Sequence, residues 1–165
     1  MAELPIAIVA GRRVYDNTPT TVFVLATNAA GKLLVIRRAT QPGYGLLGLP
    51  GGYQMRGETW QEAGARELLE ETGCHLHPSS LQFVSIRTDE YCNNLIIARS
   101  QRPVSVECER DKESLDVYFS NEIGDQDDWV HRDLYSATPS FVAELEQLKA
   151  PQRAPETKSA DTRMV

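Results

Sequence analysis

The segment from residue 39 to 57 constrains this chain more than any other. Pro42, Gly43, Gly45, Gly48, Pro50, Gly51, Gly52 and Gly57 fall within it. Proline fixes φ and lacks a backbone donor, and glycine gives up extra backbone entropy, so no long helix or strand can run through it. The next stretch of chain has the opposite character. Thr59 and Glu62 have the spacing of a capping box that opens a helix near Trp60. Gly73 stands where a left-handed residue closes one. The spacing predicts a helix over 60–72, entered directly from a glycine-rich loop.

At about 100° per residue, Glu70 lies about 60° to one side of Glu67 and Glu71 about 40° to the other, so three carboxylates share a wedge of roughly 100°. Trp60, Ala63 and Gly64 fall near the same direction, and the two small residues would let another backbone approach. Ala65, Leu68 and Leu69 point the other way and are the expected buried side. Carboxylates spaced i, i+3 and i, i+4 repel one another. A solvated acidic face would tolerate this at modest cost. Beside a loop with free carbonyls, however, the same groups form an oxygen-rich site of the kind hard divalent ions choose. A bound cation would remove the repulsion and leave positions open to phosphate oxygens and an attacking water.

Elsewhere the pattern alternates strands and turns. Residues 5–10 read as a strand. Residues 21–27 and 33–38, joined by a turn at Asn28–Gly31, read as a β-hairpin. Further strands are expected at 81–88, 95–99, 104–106 and 115–119, and apolar residues at 141, 142, 145 and 148 predict a helix over 138–149. At 165 residues, the expectation is one domain over 1–150 and a disordered polar tail over 151–165. The net charge of −6 argues against DNA, whose binding draws on counterion release by basic residues. An acidic chain can still handle phosphates through metal cations. Three cysteines without CxxC spacing read as reduced thiols. No apolar run is long enough to span a membrane, and the N-terminus is a poor signal peptide. The expectation is a cytoplasmic protein.

The run from Gly52 through Glu58 to Arg66-Glu67-Leu68-Leu69-Glu70-Glu71-Thr72-Gly73-Cys74 resembles the signature of the Nudix (MutT-like) hydrolases. Cys74 departs slightly, as a small apolar substitute for an aliphatic residue. The resemblance implies an α/β/α sandwich, of α+β or α/β class, with a mixed β-sheet between helices. It implies a Mg²⁺-dependent hydrolase, with Mn²⁺ as a substitute, that cleaves the diphosphate bond of a small-molecule nucleotide. By the same resemblance Glu70 and Glu71 are the principal metal ligands, and Glu67 completes the metal shell or assists water. Glu58 is an outer-shell or water-mediated ligand, the Gly51 or Gly52 carbonyl a further one, and Arg66 an orienting partner with a share in catalysis. Similar proteins are often homodimers, although no segment here demonstrates an interface.

Outside the signature, Arg37 and Arg38 are candidate phosphate contacts. Adjacent strand residues face opposite ways, so at most one should reach the site. Tyr44, Tyr91 and Trp129 are candidates to stack on a base, with plain packing as the alternative. Glu107, Glu109, Asp111 and Glu113 are candidates for a general base or further ligand; a solvated loop is the alternative. Three scattered histidines make no zinc site. ADP-ribose-like compounds, dinucleotides and nucleoside triphosphates all remain open as substrates. Two other readings stand beside the enzyme: a nucleotide-binding sensor, and a dinucleoside-polyphosphate or RNA-end hydrolase. The acidic charge and the Leu-Pro-Gly-Gly approach weigh against the last.

Overall fold

The computed structural model describes residues 6–107 and 113–149. Helix α1 spans Trp60–Thr72, as its terminal residues dictate. The Glu62 backbone N–H donates to Thr59 Oγ1 at 3.2 Å, and the Thr59 N–H donates to Glu62 Oε2 at 2.7 Å. Gly73, at φ 69°, closes the helix with its N–H on the Leu69 carbonyl.

The strands are β1 (Ala7–Val9), β2 (Arg12–Val14), β3 (Thr20–Leu25), β4 (Leu33–Arg38), β5 (Leu47–Gly48), β6 (Gly51–Tyr53), β7 (Leu81–Thr88), β8 (Asn94–Ser100) and β9 (Ser114–Ser120). Helix α2 spans Arg132–Lys149. Strands β6-β3-β8-β7 form a mixed sheet in which β3 and β8 run parallel. Strands β5-β4-β9 form an antiparallel sheet. The β1–β2 hairpin is separate and exposed. Strands β3, β4 and β8 are buried on both faces, which suits their near-continuous apolar sequences. Phe23, Leu25, Leu33, Val35, Leu95 and Ile97 share one core with Trp129, Leu134 and Phe141 at the α2 side. The alternate residues Val24, Ala26, Leu34 and Ala98 share another with Ala65 and Leu68 of α1. This is the α/β/α arrangement.

Four expectations are corrected. Residues 21–38 form a hairpin only at the turn, where Thr27 bridges Leu33. Beyond it β3 and β4 enter different sheets, because strands with two apolar faces need cover on both sides. Residues 104–106 contribute one bridge, Val106 to Cys74, rather than a strand. Helix α2 begins at Arg132 and carries Pro139 inside it. Packing of Leu134 and Phe141 outweighs the proline, and Thr138 Oγ1 donates to the Leu134 carbonyl at 2.8 Å. The wheel gave only part of the buried side of α1: Ala65 and Leu68 are buried as expected, but Ala63, Gly64, Glu71 and Thr72 are buried too, and Leu69 is only half-buried. The carboxylate wedge therefore borders the sheet rather than opposing it. Residues 151–165, Cys108, Glu109 and Asp111 lie outside the described residues.

Thr59→Ala should lower unfolding free energy by about 1 kcal/mol, whereas Thr59→Ser should cost much less. Urea denaturation of both variants measures this, and equal losses would mean the cap oxygen is not what matters.

Candidate functional site

Strand β6 presses backbone against two neighbours at once. A Cβ on Gly51 would stand 2.2 Å from the Val22 carbonyl oxygen and 2.7 Å from Phe23 Cα. Both are backbone atoms of β3 and cannot swing aside. A Cβ on Gly52 would stand 2.7 Å from the Glu67 carboxyl carbon. The two glycines thus let the chain pass between β3 and the acidic edge of α1. In that gap the Gly51 N–H donates to Glu71 Oε2 at 2.8 Å, and Glu71 is only 5% exposed.

Arg66 ties the remaining carboxylates together. Its Nε donates to Glu58 Oε1 at 2.7 Å, and its Nη1 donates to Glu67 Oε1 at 2.8 Å and to Glu70 Oε2 at 3.0 Å. Its Nη2 donates to the Tyr53 carbonyl at 2.9 Å, which anchors the helix to β6. Glu58 is held further by the Met55 N–H at 2.9 Å. The Arg66 hydrogen bond, followed by that from Met55, holds the Glu58 carboxyl below its ordinary value. Burial pushes the Glu67 carboxyl up, against the pull of Arg66, and its neighbours Glu70 and Glu113 add to the rise. The Arg66 guanidinium is raised in turn, chiefly by Glu58.

A cleft of about 360 Å³ opens over this edge. Glu67, Glu70, Glu71 and Glu113 line it, together with Arg38, Arg66, Gly51 and Gly52. Glu113 arrives just ahead of β9, where its carbonyl accepts the Ala39 N–H at 2.8 Å. Among the described residues, no three His, Cys, Asp or Glu side chains close tightly enough on one point to hold a metal ion. Arg66 instead draws Glu58, Glu67 and Glu70 towards itself.

The other sequence candidates separate clearly. Arg38 lines the cleft, with its Nε on the Pro42 carbonyl at 3.2 Å. Arg37 turns away and donates to the Gly45 carbonyl at 2.7 Å. Tyr44 is exposed and borders neither the cleft nor the cavity beside it. Trp129 is buried in the core, with Nε1 on the Ile123 carbonyl at 2.6 Å. Glu107 lies by the end of α1, its N–H on the Gly73 carbonyl. Tyr91 borders the neighbouring cavity, as do Phe23, Asp89, Asn93 and His131, which sequence reasoning passed over. Burial pulls the Asp89 carboxyl upward, but hydrogen bonds from Asn93 and Tyr91 and the nearby His131 outweigh it and leave Asp89 below its ordinary value.

With this geometry in view, the comparisons with known proteins are consistent. The NUDIX domain model matches residues 17–153, and the chain belongs to that family. An ADP-ribose pyrophosphatase of Methanocaldococcus jannaschii is 50% identical over 42 residues, which is 26% of this chain and 25% of that protein. The match thus spans about a quarter of the curated relative's length. A NUDIX hydrolase from Nitrosomonas europaea superposes with a TM-score of 0.61 at 20% identity, covering 84% of this chain and 77% of the other. The NUDIX domain of Shewanella oneidensis NrtR, complexed with ADP ribose, superposes with a TM-score of 0.58 at 19% identity, covering 81% and 90%. These two likenesses establish the fold. No helix among the described residues is long and apolar enough to cross a membrane.

Because Arg66 lowers the Glu58 carboxyl, its stabilising effect should be fully present above the ordinary value of 4.5 and lost as pH falls through the lowered one. Urea denaturation of wild type and Glu58→Gln, from neutral into acid pH, should show a stability difference that shrinks on acidification. A difference independent of pH would refute the pairing.

Proposed function

We propose that this chain is a metal-dependent pyrophosphohydrolase that cleaves the diphosphate bond of a nucleoside diphosphate derivative. The observation that carries the reading is the cleft in which Glu67, Glu70, Glu71 and Glu113 meet beside the Gly51–Gly52 backbone. These donors are all hard oxygens, and Gly52 lies so close to Glu67 that a Cβ would fill the gap between them. Such a set fits Mg²⁺, with Mn²⁺ as a substitute. Glu67, Glu70, Glu71 and the Gly51 carbonyl would hold the ion, with Glu58 outside them. When bound, the ion neutralises diphosphate charge and makes water more acidic.

The side chains supply the rest. Arg38 offers a guanidinium to the phosphates at the cleft edge. Arg66 gathers Glu58, Glu67 and Glu70 at one edge of the cleft, and a bound ion would draw the oxygens of Glu67 and Glu70 off the guanidinium. Glu113, which comes from a separate element and lines the same cleft, would accept a proton from the attacking water. The water oxygen bonds to one phosphorus, the bridging P–O bond breaks, and two phosphate-bearing products leave. ADP-ribose is the first substrate to test, given the activity named for the Methanocaldococcus relative and the ligand of the Shewanella domain. That same bound ligand also keeps a nucleotide-binding sensor in view as the second reading.

A panel of nucleotide sugars, dinucleotides and nucleoside triphosphates, scored for phosphate or monophosphate release with Mg²⁺ or Mn²⁺, tests the reading. Glu71→Gln should cut turnover of the best substrate by at least about a hundredfold, with circular dichroism unchanged. Near-normal turnover in that variant would overturn the metal assignment. Silence of the wild-type chain across the whole panel would favour the sensor.

A further inference from the structure

The β1–β2 hairpin stands apart from the other two sheets. Ala10 and Gly11 join its strands with φ of 49° and 77°, positive at both positions as a tight two-residue hairpin turn requires. The turn fixes the register in which Ile8 faces Arg13 and Val9 faces Arg12. The ladder runs on to Ile6, whose N–H donates to the Val14 carbonyl at 2.8 Å. Successive strand residues face opposite ways, so Ile6 and Ile8 occupy one face of β1 and Ala7 and Val9 the other. Ile6, Ile8 and Val9 are 68%, 70% and 60% exposed. Strand β1 thus has two apolar faces, as the sheet-interior strands β3, β4 and β8 do. Strand β2 instead carries an arginine on each face, which suits an outermost strand. An isolated two-stranded hairpin is barely stable in water. This one has the make-up of a sheet margin whose inner neighbour is missing.

The free side of β7 has the complementary lack. It is the last strand of its sheet, and β8 is its one strand neighbour among the described residues. Phe83 pairs with Ala98 and Ile86 with Ile96, two residues apart on β8, so the register shift between them turns both side chains to the face that α1 covers. There Phe83 meets Trp60 edge to face at 6.3 Å between ring centroids. Phe83, Val84 and Ile86 are 50%, 43% and 55% exposed. Arg87 is the only charged residue of the strand, and its guanidinium is turned onto Asp133 and Ser136 of α2, at 3.0 and 3.2 Å. Apart from the register shift, nothing guards this apolar edge, and such an edge is a template for a further strand.

We propose that the free edge of β7 receives strand β1 from a second copy of this chain, and that the two copies exchange hairpins reciprocally. Each surface then gains what it lacks: β1 becomes an inner strand, β2 an outer one, and β7 ceases to be an edge. Reciprocity closes the assembly at two copies, whereas a one-way contact would propagate. Ile6, Ile8, Val9, Phe83, Val84 and Ile86, each exposing on the order of 100 Å², offer about 600 Å² per chain, most of the roughly 800 Å² per partner that a stable interface buries. Charge favours the same occupant. Residues 6–14 hold two arginines and no acid, while the whole chain carries −6, so each hairpin approaches a partner of opposite sign. None of these residues lines the acidic cleft, so the proposal stands or falls independently of the hydrolase reading.

Sedimentation velocity of the full chain tests this, and a dimer is expected at micromolar concentration. Ile8→Asp on the hairpin and Ile86→Lys on the edge should each weaken association at least about a hundredfold, with thermal melts showing that both variants fold. An equimolar mixture of the two should dimerise again. In the mixed pair one hairpin–edge contact is wild type and the other sets Asp against Lys. Amide exchange needs no variant: β1 and β7 should be protected in the concentrated chain and lose protection on dilution. A wild-type chain that stays monomeric up to about 100 μM overturns the proposal. So does a dimer that survives either substitution, or a mixture of folded variants that stays monomeric. Protection of β1 that does not change with concentration means that the hairpin docks within its own chain, and overturns it too.

Discussion

The close approach of the Gly51–Gly52 backbone to the acidic edge of α1 is the contact on which the site depends. A buried carboxylate is costly unless something satisfies it. Here the Gly51 N–H does so for Glu71, and it can do so only because no side chain keeps β6 away from β3 or from α1. The opposing carboxylates are then steadied by Arg66, whose reach to the Tyr53 carbonyl locks helix and strand together. Loop, helix and sheet are therefore parts of one electrostatic arrangement. The two apolar cores fix where its members stand.

Much of this was legible locally. The limits of α1 follow from Thr59, Glu62 and Gly73, because caps act over a few residues. The bounds of β7 follow from a stretch in which apolar and polar residues mix as they do in a half-exposed strand. The pairing of β3 and β4 was misread because a turn signal specifies that two strands meet, not how far they stay together; each had two apolar faces to cover. The start of α2 was misread because the apolar spacing used to place it begins at Phe141, whereas the first turns are held by Leu134, whose packing partners come from distant elements.

The same division holds at the site. Glu67, Glu70 and Glu71 share one helix, so their grouping could be read from spacing, whereas Glu58 and Arg66 joined them only through the resemblance to the family signature. That Arg38 rather than Arg37 borders the cleft needed the register of β4 against β5 and β9. The aromatic cavity was not legible as a unit. Phe23, Tyr91 and His131 come from β3, the β7–β8 turn and the approach to α2, and no periodicity links them. Tyr91 alone stood out, as an aromatic residue in a polar turn.

Strand β6 is only three residues long, and all three of them wall both the acidic cleft and the aromatic cavity. A change there cannot adjust one space without disturbing the other. The 89–93 turn and the approach to α2 carry no such double duty, because they border the aromatic cavity alone. A substitution in these two segments can therefore reshape the aromatic cavity alone, while any substitution in β6 answers to two masters.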